Sequence, residues 1–171
     1  LIKAYAALRD RHPGDRFPKL VLVGKCAWLY DETLRALDET GVRESVVLTG
    51  YVPEKDLPAL YSGALCFVYP SYFEGFGLPP LEAMKCGAPV VVGNATSLPE
   101  VVADAGLKVD PFDVSAIATA IERLINNSEL RKELSVKGSR RAEMFDWRET
   151  ARQTLKVYEQ VARESYRSAA S

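Results

Sequence analysis

The stretch Ala64-Leu65-Cys66-Phe67-Val68-Tyr69-Pro70-Ser71-Tyr72-Phe73-Glu74-Gly75-Phe76-Gly77-Leu78-Pro79-Pro80-Leu81-Glu82-Ala83-Met84-Lys85-Cys86-Gly87-Ala88-Pro89-Val90-Val91-Val92-Gly93 decides the fold. Ala64 to Tyr69 is a continuous apolar strand that Pro70 ends. Pro79 to Cys86 reads as a helix stopped by Gly87. Pro89 to Val92 is a second apolar strand, with Gly93-Asn94 as its exit. Strand, helix and strand in succession demand parallel pairing, because a tight hairpin is not available. Continuous apolar runs, rather than alternating ones, mark strands buried on both faces.

The same grammar extends in both directions. Leu20 to Gly24, Ser45 to Thr49 and Gly106 to Val109 read as further strands, each bounded by Gly or Pro. A helix opens the chain (Leu1, Tyr5, Leu8). Leu29 to Thr40 carries another, with Gly41 as its stop. Asp56 is a candidate cap for a helix with Pro58 in its first turn, and Leu98 to Ala103 is a short helix. The rest is helical, with stripes at Ile117/Ile121/Leu124, Leu130/Leu134 and Trp147/Ala151/Leu155/Tyr158, and a polar tail from Arg163 that is expected to fray. The expected architecture is α/β: a Rossmann-like, three-layer parallel sheet with helices on both faces and a helical C-terminus. Ligands of such sheets bind outside the carboxyl ends of the strands. That selects Gly24-Lys25, Gly50-Tyr51-Val52, Pro70 to Leu78 and Gly93 to Leu98.

The loop from Pro70 to Leu78 carries the chemistry. Gly75 and Gly77 flank Phe76 and let the backbone approach a ligand closely. Pro79 and Pro80 suit a first helical turn, so the N–H groups around Phe76 to Leu78 point out of the helix start as an anion site. Glu74 precedes the glycines and Glu82 follows eight residues later, in what reads as the first helical turn. A carboxylate can accept two hydroxyl hydrogen bonds, as from a ribose diol. Sugar, phosphate and ribose in that order describe a sugar nucleotide. The plainer alternative is that Glu82 only complements the helix dipole. A dinucleotide fingerprint is excluded here by Pro80, and Gly24-Lys25 lacks the glycine-rich run of a P-loop.

Composition narrows the classes further. In 171 residues, 47% are apolar and 26% charged, which excludes intrinsic disorder. Lys plus Arg number 22 against 23 Asp plus Glu, and with no basic run this gives no support for a nucleic-acid partner. No apolar run approaches a membrane span. Cys26, Cys66 and Cys86, with no CxxC, read as buried free thiols in a reducing compartment rather than as a disulfide or zinc framework. The single histidine, His12, excludes a multi-His metal site and reads as part of a solvated loop.

The string Pro70-Ser71…Glu74-Gly75-Phe76-Gly77-Leu78…Leu81-Glu82-Ala83-Met84…Gly87-Ala88-Pro89-Val90-Val91 closely resembles the E-x7-E signature of the retaining glycosyltransferases of family 4, the group 1 type. Leu20 to Gly24, Val46 to Val52, Leu57 to Tyr69, Pro99 to Val102, Gly106 to Pro111 and Phe145-Asp146-Trp147 are similar to further landmarks of that family, in order. The resemblance implies the C-terminal, donor-binding half of a GT-B enzyme over residues 1–171, with the N-terminal acceptor domain and first strand absent. It implies that Glu74 is the catalytic residue, contacting hydroxyls of the transferred sugar and helping to position it at the reacting carbon, without being a covalent nucleophile. Gly75, Phe76, Gly77 and Leu78 would offer N–H groups to sugar and diphosphate. Glu82 would hold the ribose, Tyr51 and Val52 would lie along the base, and Gly24 and Lys25 would line the diphosphate pocket.

No metal or other cofactor is expected, since the substrate is itself a nucleotide diphosphate sugar. The acceptor would be bound by the missing domain. The enzyme is expected in the cytoplasm, with any contact to the membrane face made through that domain. Asn94-Ala95-Thr96 is expected as a loop near the donor sugar rather than a glycosylation site, and the last helix is expected to leave apolar surface exposed. The family's strand order also predicts that Leu20–Gly24 does not pair directly with Leu65–Tyr69. Residues 1–171 alone are expected to be inactive. The alternative is a non-catalytic sugar-nucleotide-binding or scaffold module of the same fold.

Overall fold

The computed structural model describes residues 1–14, 17–25 and 30–169. The described residues form five strands that alternate with helices, followed by three consecutive helices: α1 (Ile2–Arg11), β1 (Leu20–Val23), α2 (Tyr30–Thr40), β2 (Val46–Gly50), α3 (Leu57–Gly63), β3 (Phe67–Tyr69), α4 (Leu78–Lys85), β4 (Val90–Gly93), α5 (Leu98–Val102), β5 (Gly106–Val109), α6 (Val114–Asn126), α7 (Ser128–Glu143) and α8 (Trp147–Ala169). Every strand pair is parallel. The strands fall into two groups, β1–β2 and β3–β4–β5. β1 pairs with β2 and not with β3, as the strand order predicts.

Alternation along the strands sorts the core. Val91 of β4 points to one face, where Ala4 and Leu8 of α1, Ile117, Ile121 and Leu124 of α6 and Leu134 of α7 enclose it. Val90 and Val92 point to the other, against Ala83 and Met84 of α4, Leu98 and Val102 of α5 and Ala142 of α7. The central sheet is thus covered on both faces. A third cluster joins Tyr5 and Ala6 of α1 to Leu37 of α2 and Val42, with Leu20, Val46 and Leu48 packed on it. α1 therefore belongs to both halves. The Tyr5 hydroxyl reaches the carbonyls of Pro18 (2.9 Å) and Ser45 (3.1 Å), which pins α1 to the strand ends.

Several local expectations need correction. Asp56 makes no side-chain cap: it closes a 3₁₀ turn (Glu54–Asp56), and Pro58 starts α3 without its help. The side-chain caps occur instead at Asp113, which accepts from the Ala116 N–H, and at Asn127, which accepts from the Leu130 N–H, each at 2.9 Å. His12 is no free loop residue. It ends α1, its Nε2 lies 2.6 Å from Glu122 Oε1, and its ring stacks on Phe17. Cys66 and Cys86 are free but only half-buried, and burial pushes the Cys66 thiol up to about 11. Cys26 lies outside the described residues. α8 continues to Ala169, past the point where the tail was expected to fray. Its stripe stays in solvent, with Trp147 and Tyr158 about as exposed as surface residues can be (75% and 68%).

Candidate functional site

The carboxyl ends of β3 and β4 meet in one loop cluster. Gly93 sits where a Cβ would run into the Ser71 carbonyl, so only glycine allows the β3–α4 loop to lie against the end of β4. The loop is then held from the β4–α5 side. The Glu74 N–H donates to Thr96 Oγ1 (3.0 Å), and the Ser97 hydroxyl is shared between the carbonyls of Glu74 (3.0 Å) and Phe76 (2.8 Å). Thr96 adopts φ +51°, a conformation that costs a non-glycine residue roughly 1–3 kcal/mol. That strain is spent where Thr96 grips the backbone of Glu74. On the far side, Phe145 meets the Phe76 ring edge-on at 5.7 Å, and Arg141 lies over Phe145 at 4.9 Å while bonding the carbonyls of Glu100 and Val101.

Gly77 caps α4 in the left-handed region (φ +107°), where a Cβ would lie 2.6 Å from Leu98 Cδ2. Among the described residues, no protein acceptor takes up the N–H groups of Gly75, Phe76, Gly77 and Leu78. They stand at the positive end of α4, as an anion site requires. Phe76 and Leu78 expose about two fifths of their surface (42% and 43%), so this cradle is open. One correction sharpens the reading. α4 starts at Leu78, not Pro79, which places Glu82 in the second turn, with no acid in the first. A role limited to complementing the helix dipole fades beyond the first turn.

Each acid has a tyrosine. The Tyr69 hydroxyl donates to Glu74 Oε1 at 2.7 Å, and the Tyr61 hydroxyl to Glu82 Oε2 at 3.3 Å. Burial, with Glu74 beside it, pushes the Tyr69 phenol up to about 12. Burial, with Glu82 beside it, does the same to Tyr61. Both phenols therefore stay protonated donors at neutral pH, and hydrogen bonds to ionised groups are worth about 1.5–3 kcal/mol.

The remaining predicted residues form a second group. The Gly24 N–H, just past β1, donates to the carbonyl of Gly50, the last residue of β2 (3.1 Å), which sets Lys25 and Tyr51 side by side. Lys25 Nζ lies 5.0 Å from the centroid of the exposed Tyr51 ring, a cation–π contact, and Val52 is half-buried beside it. No hydrogen bond or ring contact joins this group to the Glu74 loop among the described residues. Nor, among them, do three or more His, Cys, Asp or Glu side chains come together as metal ligands. No helix of the described residues is long and apolar enough to cross a membrane. A hollow of about 380 Å³ runs along α8, lined by Phe145, Glu149, Gln153 and Val157 among others, but lacks the glycines and free N–H groups of the β3–α4 loop.

Sequence reasoning missed Tyr61, Tyr69, Arg141 and Phe145 as parts of the site, whereas Ser97 falls in the selected stretch Gly93 to Leu98 without its hold on the loop being legible. For Tyr69 a signal existed: it shares a face with Phe67, two residues back, immediately before the loop. Thr96 falls in the tripeptide expected near the donor, although its grip on Glu74 was not legible.

Comparison with known proteins places this geometry. The family model for glycosyl transferases group 1 matches residues 1–141. The chain is similar to the O-antigen chain mannosyltransferase B of Escherichia coli, with 46% identity over 163 residues, 92% of this chain and 41% of that protein. It thus spans about two fifths of that relative. Among solved structures, sucrose-phosphate synthase from Thermosynechococcus elongatus superposes with a TM-score of 0.83 at 29% identity, over 95% of this chain and 42% of the other. The C-terminal domain of a glycosyl transferase group 1 family protein (LpcC) from Francisella tularensis matches with a TM-score of 0.72 at 25% identity, over 84% of this chain and 75% of the other. With the family model covering most of its length and a C-terminal domain among its structural matches, the chain belongs to the glycosyl transferases group 1 family and has the fold of the C-terminal half of a GT-B enzyme.

Proposed function

We propose that the β3–α4 loop grips a nucleotide diphosphate sugar from both ends, and that the protein carrying it transfers the sugar to an acceptor with retention of configuration. The observation that carries this reading is the loop itself: four free N–H groups at the start of α4, a backbone clamped by Thr96 and Ser97, and an acid before and after. In this reading Glu74 accepts hydroxyls of the transferred sugar and sets its reacting carbon. The N–H groups of Gly75 to Leu78, with the α4 dipole, take the diphosphate. Glu82 takes the ribose diol. Tyr51 and Val52 lie along the base, and Lys25 with Gly24 adds positive charge beside the diphosphate.

The sugar we propose is mannose, on the likeness to the Escherichia coli mannosyltransferase. The acceptor site we assign to an N-terminal domain of the same polypeptide, and the position between β1 and β3 to a further strand. The unpaired edges of those two strands and the two-fifths coverage of the relative support both. Calorimetric titration with GDP-mannose, UDP-glucose and ADP-glucose tests the donor reading. GDP-mannose is expected to bind more tightly than the two glucose donors, and Glu82→Ala to weaken it about tenfold or more through loss of charged hydrogen bonds. Equal affinity in the variant and the unmutated chain contradicts the assignment.

A further inference from the structure

The donor reading gives the two acids their tasks but does not say what aims them. Glu82 is exposed and Glu74 half-buried, each on a long side chain, and an unbraced glutamate surrenders several rotamers when it binds. The structure supplies braces from one aromatic stack. Phe67 and Tyr69 lie two apart on β3 and so share a face; their rings stack at 5.9 Å with 17° between planes. Tyr61 of α3 meets Phe67 edge-on at 5.2 Å and 87°. The stack ends in two hydroxyls. One donates to Glu74 Oε1 and the other to Glu82 Oε2. Each carboxylate keeps its second oxygen for a ligand.

We propose that Tyr69 and Tyr61 are positioning residues: joined through Phe67 in one rigid aromatic stack, they hold the Glu74 and Glu82 carboxylates in the orientation that receives sugar and ribose. The proposal rests on the donor reading above. It also predicts a division of labour. Tyr69 acts on the sugar end alone and Tyr61 on the nucleotide end.

Removing only the hydroxyls tests this, because Tyr69→Phe and Tyr61→Phe keep the rings and the stack. Affinities for GDP-mannose and GDP, and for UDP-glucose and UDP, are measured by calorimetry, together with the unfolding temperature. Tyr69→Phe is expected to weaken the nucleotide sugar about tenfold while leaving the bare nucleoside diphosphate unchanged. Tyr61→Phe is expected to weaken both members of a pair by the same factor. A merely structural role would lower both affinities in Tyr69→Phe, and that result, or no change in either variant, overturns the proposal. Tyr69→Phe added to Glu74→Ala is expected to cost nothing further, since no acceptor is left for the hydroxyl to hold; full additivity also overturns it. Glu74→Gln and Glu82→Gln separate the two claims. If they change no affinity, or the unmutated chain binds no nucleotide sugar, the donor reading falls and this proposal with it. If they weaken binding and the tyrosine variants do not, only this proposal falls.

Discussion

β1 and β4 are nearly the same word, Leu-Val-Leu-Val against Val-Val-Val-Gly, yet they live in different surroundings. All four residues of β4 are buried. β1 alternates, with Val21 and Val23 about half in solvent (44% and 47%). The difference lies in the neighbours. β4 has a strand on each edge and helices on each face, whereas β1 has β2 alone and α1 and α2 on one side. Continuous apolar character therefore reports what a strand is suited to, and the count of neighbours decides how much of it is realised. The proposed donor loop follows this contrast: Glu74 to Leu78 springs from the dense three-stranded half, while Gly24, Lys25, Tyr51 and Val52 sit on the two-stranded half.

Substitution in matched strands gives the largest expected effect. Val91→Ala should cost about 2–3 kcal/mol, the loss of two buried carbons plus a cavity between α1 and α6. Val21→Ala should stay within about 0.5 kcal/mol, as at other exposed positions. Urea unfolding measures both, and similar losses would mean that the two halves are equally packed. A smaller effect should come from α1, the joint between the halves. The hydrogen bond from His12, opposed in part by burial and aided by Arg11, holds the Glu122 carboxyl below its ordinary value of 4.5. Because the native value is the lower one, this contribution is complete above pH 4.5 and fades as the pH falls through the native value. The acid-induced drop in the urea midpoint should therefore be shallower in Glu122→Gln than in the unmutated chain. Superimposed profiles would remove this contact from the joint.

Much of this was legible before any coordinates. The β–loop–α–β stretch from Ala64 to Gly93 has the predicted order of elements, punctuated by Pro70, Gly87 and Gly93, but β3 is shorter than expected: it covers Phe67–Tyr69, not Ala64 to Tyr69. Glu74 and the glycines fall on the loop as the spacing placed them, and Glu82 on the helix that follows, in its second turn rather than its first. What the sequence could not show were contacts between segments far apart along the chain. Ser97 reaches Glu74 across 23 positions, Tyr61 reaches Glu82 across 21, and His12 reaches Glu122 across 110. The pleat and the crossover connections create these meetings, and no local pattern encodes them. Asp56 erred for the complementary reason: a good capping residue was consumed by a 3₁₀ turn that periodicity does not reveal.

The central claim is that one short loop holds an activated sugar along its whole length. Amide chemical shifts followed during titration with GDP-mannose and UDP-glucose test it most directly. The largest changes are expected on Gly75, Phe76, Gly77 and Leu78, with smaller ones at Glu74, Thr96 and Glu82. Shifts confined to the exposed flank of α8, with those loop amides unmoved at saturation, would contradict it.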